Sequence, residues 1–132
     1  MSEAKVGAGD VEIRLNGETY RLVPSVGAIK SISRASGGIR GATEAVLRMD
    51  IDRIVSVVDA GLGQRVVKEL CGNGQDKTDK LTQLVYESGL TDNSGAIVAK
   101  CVTYLTNLVN GGRPLDDQPL DDQLLEVLEG KE

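Results

Sequence analysis

Residues 11–25, VEIRLNGETYRLVPS, decide how this chain begins to fold. Apolar residues alternate on both sides of Asn16-Gly17, a pair typical of a tight β-hairpin because a type I′ turn needs positive φ at both positions. Such a turn fixes which residues of the two strands lie opposite each other. On one side of the sheet the expected pairs are Val11–Leu22, Ile13–Tyr20 and Leu15–Glu18. On the other side they are Glu12–Arg21 and Arg14–Thr19. An isolated hairpin is only marginally stable, so we expect its apolar side to pack on helices.

The segment after the hairpin predicts a first helix over residues 26–36. Ser25 is placed to cap its N-terminus, and Gly37-Gly38 is placed to end it. Val26, Ile29 and Ile32 fall at helical spacing and are expected to face the core.

Further short helices are expected along the rest of the chain. After the weakly helical stretch GATEAVLRM, Asp50 is placed to cap a helix that ends at Gly61, with Leu62 folding back onto Val57 as in a Schellman motif. Three later helices are predicted. One covers QRVVKELCG, one runs from Thr78 or Asp79 to a stop at Gly89, and one runs from about Gly95 to Val109, which is expected to be the most buried. The pattern as a whole predicts an α+β, mostly helical fold in which the hairpin packs on a bundle of short helices.

The composition limits what this protein can do. The chain has 132 residues, a net charge of −5, and no histidine, tryptophan or phenylalanine. An acidic surface with few aromatic residues disfavours nucleic-acid binding, and no apolar run is long enough to cross a membrane. Cys71 and Cys101 both fall in helix-like patterns, so buried, reduced thiols are expected rather than a disulfide.

No motif indicates catalysis. The glycine-rich stretches, such as GLGQRV and GNGQDKT, lack the spacing of phosphate-binding loops and are expected to be turns and helix ends. Asp50 and Asp52 do not continue into a calcium-binding loop, and no nucleophile is paired with a base. We therefore expect a protein that is not an enzyme and has no catalytic residue, cofactor or metal.

The chain divides into three parts: a flexible N-terminus over residues 1–9, a single α+β domain over 10–112, and an acidic tail over 113–132. The tail repeats PLDDQ and carries seven carboxylates against Arg113 and Lys131. A short C-terminal helix is expected in it, with an apolar stripe formed by Leu124, Leu125 and Leu128. Docking of this stripe in a groove and a solvated tail are both compatible with the pattern.

The order of these elements resembles a family of small tail proteins of gene transfer agents, related to the tail assembly chaperones of long-tailed phages. The resemblance covers about residues 9–112. It is carried by the hairpin, by an aspartate-led helix followed by Gly-Leu, and by a last helix that closes with glycines. The matching positions are Asn16, Gly17, Tyr20, Pro24, Asp50, Gly61, Leu62, Gly89 and Leu90.

The resemblance implies a non-enzymatic protein that acts in the bacterial cytoplasm while a tail is built. Such chaperones oligomerise and coat the tape-measure protein, a long helical chain. On this interpretation Arg14 and Thr19 on the outer side of the hairpin, together with Leu124, Leu125 and Leu128 in the tail, are the candidate partner-binding residues. The alternatives are a structural tail-tube or connector subunit, and a small regulatory protein-interaction domain unrelated to phages.

Overall fold

A computed structural model describes residues 9–90 and 97–114. Over these residues the chain forms one two-stranded antiparallel sheet followed by helices, which confirms the predicted α+β, mostly helical class. The strands are β1 (Val11–Leu15) and β2 (Glu18–Leu22). The helices are α1 (Val26–Ser36), α2 (Ile39–Leu47), α3 (Ile51–Leu62), α4 (Gln64–Cys71), α5 (Lys77–Ser88) and α6 (Ile97–Val109).

The hairpin has the predicted turn and register. Asn16 has a φ of 57° and Gly17 a φ of 86°, as a type I′ turn requires. The cross-strand pairs are Val11–Leu22, Glu12–Arg21, Ile13–Tyr20, Arg14–Thr19 and Leu15–Glu18. The register prediction is therefore confirmed at every pair.

The apolar side of the hairpin is part of the main core. β1 packs against α5 and α6, and β2 packs against α3. Apart from Tyr104, the fully buried core side chains are aliphatic or cysteine, as a chain without phenylalanine or tryptophan requires. α6 contributes seven buried residues, more than any other element of the described chain, which agrees with its predicted place at the centre.

Two predicted helix caps are present. The Ser25 hydroxyl accepts a hydrogen bond from the Ala28 N–H at 3.0 Å, and a carboxylate oxygen of Asp50 accepts one from the Arg53 N–H at 3.3 Å. The prediction for α5 needs a small correction: the helix begins at Lys77 rather than at Thr78 or Asp79.

The predicted end of α3 is wrong. Gly61 lies inside the helix and is buried, and Gly63, with a φ of 88°, ends it. Gly61 is needed for packing: a Cβ there would lie only 2.8 Å from Cβ of Leu22 on β2. The two elements are also joined by a hydrogen bond of 2.8 Å from the Val23 N–H to the Gly61 carbonyl. The glycine thus lets the helix approach the strand closely.

Val26 does not face the core as its spacing predicted. Its side chain is 74% exposed, whereas Ile32 is 1% and Ala28 4% exposed. Val26 is the first residue of α1, so it extends past the area covered by the neighbouring elements. Ile29 is partly buried, and the buried face of α1 is therefore shorter than predicted.

The two ends of the described domain meet at one corner. The buried Asn107 amide donates a hydrogen bond of 3.0 Å to the Gly9 carbonyl, and its backbone carbonyl accepts one of 2.7 Å from the Gly112 N–H. Gly9 and Gly112 touch so closely that a Cβ on Gly9 would overlap the Gly112 carbonyl oxygen. Nearby, the buried Tyr104 hydroxyl donates to the Val23 carbonyl at 2.9 Å. This corner fixes the start of β1, the end of β2 and the end of α6 relative to one another.

Candidate protein-interaction site

The outer side of the hairpin is exposed and polar. Arg14 and Thr19, the two candidate partner-binding residues in this region, are exposed and lie directly opposite each other on β1 and β2. Arg21 on the same side makes an ion pair with Asp10 at 3.8 Å. This side of the sheet therefore offers polar and cationic groups to a partner.

One edge of the hairpin is open to pairing over a short length. In a two-residue hairpin the pair next to the turn exchanges hydrogen bonds, so the backbone groups of Thr19 and Arg21 point away from β1. After β2, the Val23 N–H donates a hydrogen bond to the Gly61 carbonyl, so the end of α3 covers the strand edge at this point. An added strand could therefore pair with β2 only between the turn and Val23.

The remaining candidate residues, Leu124, Leu125 and Leu128, lie outside the described residues, as does the predicted start of α6 near Gly95. The expected contact between the tail and a groove stays a prediction.

A groove with a volume of about 500 Å³ lies between α1 and α3. Small residues form both walls. Those on α1 are Gly27, Ala28, Ser31 and Ala35, and those on α3 and its C-terminal end are Ser56, Ala60 and Gly63. Polar side chains lie among them and at the ends of the groove, namely Ser25, Asp59, Gln64 and Lys77. The groove thus combines little side-chain bulk with a few polar groups.

Asp59 is the acidic group of the groove. Burial raises the pKa of its carboxyl above the ordinary value of 3.8, and the positive charge of Lys77 opposes this rise only in part. Within the described residues, the Asp59 carboxylate has neither a hydrogen bond nor an ion pair. It is therefore a half-buried charge that the rest of the domain does not neutralise by contact.

The sequence prediction missed this groove, although a signal for it exists. Gly27, Ser31 and Ala35 recur at every fourth position of α1, which places three small residues in one row on the helix surface. Ser56 and Ala60 have the same spacing on α3. Which two helices face each other across the groove is a property of the tertiary fold, so the rows alone could not identify it.

The thiols and carboxylates do not form a reactive centre in the described part of the chain. Cys71 and Cys101 are free and buried. Burial raises the pKa of both thiols, that of Cys101 to about 12, so neither is a ready nucleophile at neutral pH. Between residues 9–90 and 97–114, no group of three acidic or cysteine side chains is placed to hold a metal ion.

No helix within residues 9–90 and 97–114 is both long and apolar enough to span a bilayer.

Comparisons with protein-family models, with curated proteins and with solved structures find no match for this chain. The functional interpretation therefore depends on these surfaces and on the order of the elements along the sequence.

Proposed function

We propose that this protein is a non-enzymatic tail assembly chaperone of a long-tailed phage or gene transfer agent, and that it binds the tape-measure protein. The observation that carries the proposal is the order of elements: an Asn-Gly hairpin, an aspartate-capped helix and a last helix closed by glycines. This is the order that the family resemblance implies. The site of action is the bacterial cytoplasm during particle assembly.

The proposed contact with the tape measure uses surfaces that the domain leaves exposed. The outer side of the hairpin carries Arg14 and Thr19, and the tail would add Leu124, Leu125 and Leu128. An elongated helical partner needs several copies of a small coat protein, so we also propose that the chain self-associates. The open edge of β2 is suited to this because strand edges pair readily with other strands.

Coexpression tests the chaperone function. The tape-measure protein from the same gene cluster is produced with and without this chain, and its soluble fraction is measured together with the mass of any complex by size-exclusion chromatography and light scattering. We expect a several-fold gain in soluble tape measure and comigration with several copies of this chain. No gain in solubility and no comigration would exclude the function.

The contact residues are tested in the same assay. Combined Arg14→Ala and Thr19→Ala substitutions should weaken the complex, whereas Arg40→Ala, which removes an exposed cation from α2, should leave it intact. Leu125→Asp with Leu128→Asp should weaken it if the tail contributes. Equal binding by all variants would remove these residues from the interface.

The main alternative, a tail-tube or connector subunit, makes a different prediction about particles. A chaperone is absent or scarce in purified particles, whereas a tube subunit is abundant, which mass spectrometry distinguishes. The described residues contain a single two-stranded sheet. A ring of tube subunits joined through sheets needs more strands than this, which favours the chaperone.

A further inference from the structure

The exposed side of α1 carries positive charge that no described residue neutralises by contact. Lys30 and Arg34 lie four residues apart on this side of the helix, so their side chains are neighbours on its surface. Val26, one turn earlier, is 74% exposed. These three residues form the basic row of α1. Within the described residues, neither cation makes an ion pair or a side-chain hydrogen bond.

The sequence around the basic row adds to its charge. Residues 26–49 form α1, α2 and the turns after them, and they contain one carboxylate, Glu44. Against it stand four cations, Lys30, Arg34, Arg40 and Arg48. At the hairpin and on α5, in contrast, cations lie beside carboxylates and form ion pairs with them. The pair of helices α1 and α2 is therefore the most basic part of the described surface.

The acidic tail carries the opposite charge. Residues 115–132 contain seven carboxylates and one cation, Lys131. The net charge of −5 is thus distributed unevenly, with a basic segment early in the chain and an acidic segment at its end. Surfaces of opposite sign attract each other, and such complementarity selects one binding partner over others.

The tail starts next to the basic row. A Cβ added to Gly112 would lie 3.3 Å from Cβ of Pro24, and α1 begins at Val26, two residues after that proline. The 11 residues of α1 span about 16 Å at 1.5 Å per residue. Residues 115–132 would span about 27 Å even as a continuous helix, and more as an extended chain. The tail is therefore long enough to reach every residue of the basic row on its own domain.

We propose that the acidic tail binds to the basic row of its own domain, and that tail carboxylates form ion pairs with Lys30 and Arg34. A single exposed ion pair contributes little, but the tail is tethered at an effective concentration on the order of millimolar, so several weak pairs act together. The contact would keep other anionic partners away from α1 until the tail is released. The inference concerns a contact within one chain and does not depend on the chaperone function.

A spin label in the tail tests this contact in the full-length protein. Gln123→Cys provides the attachment site, and the intensities of the backbone amide signals are measured by NMR. Cys71 and Cys101 are buried and should stay unlabelled under native conditions. At about 20 mM salt we expect the Lys30 and Arg34 signals to weaken about threefold, and about 500 mM salt should restore them because it screens the charges.

Signals from α6 provide the control for proximity alone. Ala99 and Thr103 are exposed on this helix, which ends at the same corner as the start of α1. A tail that moved freely around the corner would weaken these signals as much as those of Lys30 and Arg34. We expect them to keep their intensity, and equal weakening on both helices would overturn the inference.

Charge reversal separates ion pairing from other attraction. Lys30→Glu with Arg34→Glu should abolish the weakening of the α1 signals, whereas Arg65→Glu with Lys68→Glu, an equal change of charge on α4, should preserve it. Reversal of the tail in the first variant should restore the contact, by Asp116→Lys, Asp117→Lys, Asp121→Lys and Asp122→Lys. Thermal melts of each variant check that the fold is intact. Weakening that persists after reversal on α1 alone would overturn the inference.

A mixed sample distinguishes the tail of the same chain from that of a second copy. Isotope-labelled protein without the spin label is combined with spin-labelled protein that carries no isotope, and we expect the Lys30 and Arg34 signals to keep their intensity. Weakening in this sample would assign the surface to a second copy and overturn the inference. The inference also fails if the tail label leaves these signals unchanged while a single-stranded DNA oligonucleotide shifts them, since the occupant would then be an external polyanion.

Discussion

Gly61 is the position where a single methyl group tests the packing of the hairpin on the helices. Alanine normally stabilises a helix relative to glycine by about 1 kcal/mol. At Gly61, however, the new Cβ would lie 2.8 Å from both Cβ and Cδ2 of Leu22, and 3.1 Å from its Cα. Cδ2 can rotate away, but Cβ and Cα are held by the backbone of β2. The substitution therefore pushes β2 and α3 apart.

The expected magnitude follows from these opposing effects. Overpacking of a buried site costs about 1–3 kcal/mol, and the helix gain of about 1 kcal/mol offsets part of this cost, so Gly61→Ala should destabilise the domain by up to about 2 kcal/mol. For a domain of this size we expect a melting temperature lower by up to roughly 7 °C. Circular dichroism during thermal and urea unfolding measures both quantities.

Gly27→Ala is the matched control. Gly27 is also helical, but its Cβ would meet only the Ser25 hydroxyl, at 3.8 Å, so alanine should be neutral or stabilise by up to about 1 kcal/mol. Leu22→Ala alone should destabilise the domain by about 2–5 kcal/mol. The double variant with Gly61→Ala should lose less stability than the sum of the two single variants, because the new methyl group at position 61 fills space that Leu22 vacated. If Gly61→Ala stabilises the domain as Gly27→Ala does, the close approach of α3 to β2 is refuted.

Three further substitutions test other parts of the structure. Ile13→Asp should destabilise the fold by several kcal/mol because it places a charge in the core. Arg14→Ala, on the exposed side of the hairpin, should change the free energy of unfolding by less than about 0.5 kcal/mol. Equal melting temperatures for the two variants would contradict the observed register. Tyr104→Phe should cost about 0.5–1.5 kcal/mol by removing the hydrogen bond from the Tyr104 hydroxyl to the Val23 carbonyl, and an unchanged urea midpoint would argue against that bond. Because burial raises the pKa of Asp59 in the folded state, its ionisation reduces stability at neutral pH, so Asp59→Asn should melt higher than the wild type at pH 7. The difference should shrink as the pH falls through the raised pKa of the folded state and disappear below the ordinary value of 3.8, and identical melts at pH 7 would contradict this.

Local chemistry made the hairpin and the helix starts predictable from the sequence. Asn16-Gly17 selects a turn within two residues, and the turn then fixes every strand pair. The Ser25 and Asp50 caps each depend on a backbone N–H three residues away. These features need no knowledge of the remaining chain, which is why the pattern alone identified them.

Features that depend on distant residues were not predictable in the same way. A glycine in the last turn of a helix can either end the helix or leave space for a neighbouring element to pack closely. Gly61 leaves space, because Leu22 packs directly against it. The exposure of Val26 depends on where the neighbouring elements stop. The groove needs α1 and α3 to lie side by side, and only then does Asp59 become a half-buried charge between two rows of small residues.

The meeting of Gly9 and Gly112 makes the domain nearly a closed ring of polypeptide. The order of connection around that ring can therefore be changed without moving its elements. A circular permutant that joins Pro114 to Gly9 through a short linker, and opens new ends in the exposed loop between Asn73 and Gly74, should fold to the same structure. In such a permutant the chain ends, and any fluorophore or affinity handle attached to them, would lie at the junction of α4 and α5.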